Sequence, residues 1–89
     1  MIDLYKYNLT KEDLTFLEDL ICDIVDSQMS VTLIFDNKYS FQIDPCGNEF
    51  EVWRLGKKIN TFKDLDDLLY NFILDGKPFI EQLSQIVYD

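Results

Sequence analysis

Histidine and alanine are absent from this 89-residue chain, arginine occurs once, at Arg54, and cysteine and proline occur twice each. Without histidine, the usual base that activates a Ser, Thr or Cys nucleophile is missing, which removes most catalytic triads and dyads. The cysteines, Cys22 and Cys46, lie far apart and form no C-x-x-C or other ligand spacing. Two thiols with no signal-peptide pattern ahead of them point to a reducing, cytoplasmic setting: Met1 to Asn8 has neither a basic start nor an apolar run. No stretch approaches the roughly 18 apolar residues of a membrane span. The three glycines build no phosphate-binding loop. Each of these absences narrows the field toward a non-enzymatic protein without a cofactor.

What the chain does carry is acid and apolar bulk together. There are 17 Asp and Glu against 8 Lys and Arg, a net charge of −9, yet 47% of residues are hydrophobic. A disordered acidic tail lacks the apolar half, so this composition predicts one folded domain, residues 1–89, with negative charge around a core. Nucleic acid and anionic membrane carry the same sign and are repelled within a Debye length of about 8 Å, so neither is an expected direct partner. A basic protein is favoured instead. Abundant Phe, Tyr, Asn, Lys and Ile with little Arg follow AT-rich codons and point to a low-GC bacterium, its plasmid or its phage.

The periodicities change along the chain. Thr10 and Asp13 form an S/T-x-x-D cap before Leu14, Leu17, Leu20, Ile21, Ile24 and Val25, whose helical spacing predicts a helix over 11–27. Cys22 falls at the edge of that apolar arc and is expected to be a buried, inert thiol. From Val31 the period becomes two. Val31, Leu33 and Phe35, then Tyr39, Phe41 and Ile43, predict a hairpin across Asp36-Asn37-Lys38. Asp44-Pro45-Cys46-Gly47 suits a type I turn, which leaves Cys46 exposed, and a third strand follows near 49–55. Lys58 to Asn60 is read as a short edge piece. Thr61 with Asp64 predicts a second helix, ended by Asp75-Gly76, and Pro78 opens a final helix with Phe79, Ile80, Leu83, Ile86 and Val87 inward. The fold expected is α+β in the order α-β-β-β-α-α, an antiparallel sheet of three to four strands packed against helices in two layers.

Two groups of residues are candidates for function. Glu12, Asp19, Asp23 and Asp26 gather on the polar side of the first helix, where like charges at helical spacing repel by a few tenths of a kcal/mol per pair with no Lys to offset them. Carboxylates about 5–6 Å apart coarsely resemble successive phosphates and fit the basic groove of a nucleic-acid-binding protein. On the sheet, if Phe50 and Val52 face inward, then Glu49, Glu51, Trp53 and Leu55 face outward with Ile34, and Trp53 offers an aromatic anchor. Asp44 to Glu49 lacks the register of a calcium loop, and Asp64, Asp66 and Asp67 suit a helix N-terminus, so no metal site is expected.

The segment Thr61 to Ile86, with Phe62, Leu65, Leu68, Leu69, Asp75, Gly76 and Lys77, resembles the C-terminal third of small uncharacterised acidic proteins of low-GC Gram-positive bacteria and their phages and plasmids. Size, acidity and element order are also similar to those of some small phage-encoded anti-CRISPR proteins that mimic DNA. These likenesses imply an interaction protein, an inhibitor or DNA mimic acting on a basic nucleic-acid-binding protein. The alternative reading is a self-associating regulatory domain, with Ile34, Trp53 and Leu55 as a homodimer face.

Overall fold

A computed structural model describes residues 7–89. Thr10 caps the first helix: its hydroxyl accepts from the Asp13 N–H, while the Asp13 carboxylate accepts from the Thr10 N–H, both at 3.1 Å. Two of the four unpaired N–H groups at a helix start are satisfied this way. Helix α1 runs Lys11–Ile21 and continues as a π-helical turn, Cys22–Asp26, which buries Ile24 as α1 buries Leu17 and Leu20. Four strands follow: β1 Val31–Phe35, β2 Tyr39–Cys46, β3 Glu49–Arg54 and β4 Lys57–Phe62. Then come α2 Leu65–Asn71, a small hairpin of β5 Ile73–Leu74 and β6 Lys77–Pro78, a 3-10 segment Phe79–Gln85, and β7 Ile86–Tyr88.

The fold is α+β. One antiparallel sheet has five strands in the order β4-β3-β2-β1-β7, one more than the largest number expected, and β5 pairs only with β6. Val31, Leu33, Phe41, Ile43, Phe50, Val52 and Phe62 form its buried face, against Leu17, Leu20 and Ile24 of the first helix and Leu68, Leu69, Phe72, Phe79 and Ile80 from the C-terminal half. Phe41, Phe72 and Phe79 meet at the centre, with ring centroids 5.3 to 6.4 Å apart, in the range of favourable aromatic pairs.

Several local expectations are corrected. Pro45 lies in β2 opposite Phe50, not in a turn, because β1 ends its pairing at Ile43 and the missing N–H of Pro45 falls beyond that ladder. The turn moves to Gly47-Asn48, where Gly47 takes φ 65°. Thr61 is paired with Glu51 in β4, and the cap of α2 is Asp64, whose carboxylate accepts from the Asp67 N–H at 2.8 Å. Asp75 and Gly76, with φ 51° and 83°, turn a β-hairpin rather than end a helix, and Asp-Gly is a strong sequence signal for that. The expected last helix is a 3-10 segment kinked at Gln82, after which Ile86-Val87-Tyr88, a β-branched and aromatic run, joins the sheet beside β1.

Candidate functional site

All the helical elements that contribute to the core pack on one face of the sheet; the other face carries side chains that alternate outward. Pairing places Lys58, Trp53, Gln42 and Thr32 across it in one row and Thr61, Glu51 and Asp44 in another, with Ser40, Ile34 and Val87 beyond. Trp53 is half-buried. Its indole N–H donates to Glu51 at 3.2 Å, and Lys58 approaches the same carboxylate at 3.5 Å, so Glu51 is already engaged. Beside Trp53 lies an open groove of about 300 Å3 bordered by Thr32, Ser40, Gln42 and Asp44. Glu49 is exposed and Ile34 half-buried, both on this face as alternation requires. Leu55 is not on it. It leaves the strand at the β3–β4 turn with φ 53°, where alternation no longer applies, and stands 90% exposed at the tip.

The acidic candidates on the first helix belong to a different surface. Strand order puts β3 three strands from β7, a distance of roughly 14 Å, and α1 lies on the covered face of the sheet. The two groups of carboxylates are therefore not brought together. On α1, Glu12 and Asp19 border an open groove of about 460 Å3 whose floor includes Phe16 and Tyr88, with Lys11 and Thr15 completing the rim. The two rings lie 5.6 Å apart at 59°, a favourable tilted contact. Asp23 is not an unpaired member of a stripe: it is half-buried and accepts from the Tyr88 hydroxyl at 3.1 Å, which fixes the ring on the groove. Burial first, and then this hydrogen bond to a carboxylate, push the Tyr88 hydroxyl pKa up, so it stays a neutral donor at physiological pH. Asp26 is exposed on the π turn and does not line the groove.

The first helix ends in a π turn. A bond from the Ser27 N–H to the Cys22 carbonyl, at 2.9 Å, spans five residues where an α-helix spans four. Ile24 keeps the burial that helical spacing assigns it, whereas Val25, expected on the same apolar arc, is exposed. Cys22, expected in the core, is exposed, as is Cys46. Gln28 closes the turn: with φ 51°, its amide donates to the carbonyls of Ile24, Val25 and, across the chain, Gly47.

Reasoning from sequence missed Phe16 and Tyr88 as site residues. Phe16 stands beside the apolar arc of the helix, and Tyr88 was assigned no strand, so nothing brought the two rings together. Among the described residues no group of three or more Cys, Asp and Glu is arranged to hold a metal ion, and no helix there is long and apolar enough to cross a membrane. No family model matches the chain, and neither a curated protein nor a solved structure matches it.

Proposed function

We propose that this protein is a non-enzymatic, cytoplasmic interaction domain that engages a basic protein through the α1 face, with the Phe16–Tyr88 groove as its anchor. The observation that supports the reading is the combination at that groove: two aromatic faces bordered by Glu12 and Asp19, with Asp23 holding Tyr88 from behind. Arginine is the side chain that profits from both parts, since its guanidinium stacks on an aromatic face and pairs with carboxylates in the same pose. Carboxylates spaced along a helix also occupy a cationic groove in place of phosphates, which makes a nucleic-acid-binding protein the favoured target and inhibition by occupancy the favoured effect.

The outer sheet face is less suited to a symmetric homodimer. A two-fold contact joins the same patch on both copies, and here that patch sets Asp44, Glu49 and Glu51 against the single lysine Lys58. The test is capture of partners from bacterial lysate by wild type, by Glu12→Gln/Asp19→Asn and by Trp53→Ala, each at low and high salt, read by mass spectrometry. The expected result is a basic nucleic-acid-binding protein held by wild type and Trp53→Ala at low salt, released at high salt, and lost with the α1 variant. Capture that depends on Trp53 and ignores the α1 charges would move the interface to the sheet.

A further inference from the structure

Leu55 and Gly56 join β3 to β4, with φ 53° and 77°. A two-residue turn with both φ positive asks for Asn, Asp or Gly at its first position, because a Cβ there crowds the following carbonyl. Leucine in that place carries strain. It is also 90% exposed, so neither turn chemistry nor core packing accounts for it, and strain kept at an exposed apolar residue is the kind that marks a contact. The surrounding charge is equally out of keeping with the chain. Residues 52–63 hold Arg54, Lys57, Lys58 and Lys63, four of the eight basic residues, and none of the 17 acidic ones. Lys63 stands beyond the far end of β4 and Lys58 is paired with Glu51; Lys57 and Arg54, the latter over the Tyr39 ring at 4.1 Å, flank the tip, an apolar knob with cations beside it on an acidic molecule.

Across the sheet lies its complement, the Phe16–Tyr88 groove bordered by Glu12 and Asp19. We infer that the Leu55 tip of one copy docks in the Phe16–Tyr88 groove of a second copy, joining molecules head to tail. Four strand spacings, roughly 19 Å, separate β4 from β7, so the tip does not reach the groove of its own chain. Because knob and groove are different patches, the contact is heterologous and repeats from copy to copy instead of stopping at a dimer. Leu55 supplies apolar contact with the rings, and Lys57 meets the Glu12 and Asp19 carboxylates of a rim that also holds Lys11, an attraction that salt screens. The assembly shares the groove with the proposed function yet needs no foreign partner; it would cover that groove until a basic target competes for it.

Sedimentation velocity of the full chain over a wide range of concentration, at low and high salt, tests this. At low salt the mean mass should rise with concentration past that of a dimer, and at high salt it should fall back to the monomer. Leu55→Asp and Glu12→Lys/Asp19→Lys change only exposed side chains; each should keep the wild-type circular dichroism and stay monomeric. Mixed, they should form a one-to-one dimer and nothing larger, because one retains the groove and the other the tip. A wild type that is monomeric throughout overturns the inference, as does assembly untouched by Leu55→Asp. So does a tip that, in place of assembling, binds an oligonucleotide in a Leu55-dependent way. Partner capture by the α1 face is read separately, so either reading can fail alone.

Discussion

At Asp67 one carboxylate accepts from the Lys63 backbone N–H at 3.0 Å and from the Asn71 amide at 2.7 Å. These bonds, the backbone one foremost, hold its pKa below the usual carboxylate value. A carboxyl whose folded pKa is depressed stabilises the fold above its unfolded pKa of about 4 and loses that contribution as pH falls through the folded value. Thermal unfolding of wild type and Asp67→Asn should therefore differ most near neutral pH and converge below about pH 4. Leu55 offers the opposite case, a residue that opposes its own backbone. Leu55→Asn places an Asn-Gly pair in a turn that favours it and should stabilise the fold by about 1 kcal/mol. In a chain of this size that raises the melting temperature by roughly 4–8 °C, measured at dilution so that assembly does not contribute.

Among the elements, those governed by neighbours in sequence were legible and those governed by distant contacts were not. The capping box at Thr10 and Asp13, the helical spacing of Leu17, Leu20 and Ile24, and the Val31 to Ile43 hairpin all depend on local pattern, and all stand as read. Strand β4 was legible only as Lys58 to Asn60. At its bulge opposite Val52 and Trp53 the period of two breaks, and Ile59, half exposed, gives no sign of an inner face. The C-terminal segment misled for a different reason. Phe79, Ile80 and Leu83 have helical spacing, but the buried Gln82 spends its amide on the Leu74 and Lys77 carbonyls and ties the 3-10 segment to the β5–β6 hairpin. Gln82→Ala leaves those carbonyls without their donor and should cost about 1–3 kcal/mol in chemical denaturation. The candidate site was half legible: its charges follow from helix periodicity, while its aromatic floor needs β7 beside α1, a contact between the two ends of the described chain.

Over the whole molecule, the acid surplus separates into parts with different causes. Asp13, Asp64 and Asp67 cap helices, and Asp36 and Asp75 turn hairpins and share Lys38, with Asp75 at 3.0 Å and Asp36 at 3.5 Å. Glu51 is engaged with Trp53 and Lys58. Glu12 meets the positive end of the α1 macrodipole from its first turn, and Asp19 lies a further two turns along the same aromatic groove. The net −9 still repels itself in the compact state, so moderate sodium chloride should raise the melting temperature by screening. That salt effect and the salt weakening of binding run in opposite directions, which separates stability from recognition. That acidity serves recognition at the α1 groove is tested by an NMR titration of the isotope-labelled chain with a short arginine-rich peptide. Shifts should centre on Glu12, Phe16, Asp19, Asp23 and Tyr88 and fade as salt is added. Shifts spread evenly over the acidic residues, or centred on Trp53 and the outer sheet face, would contradict it.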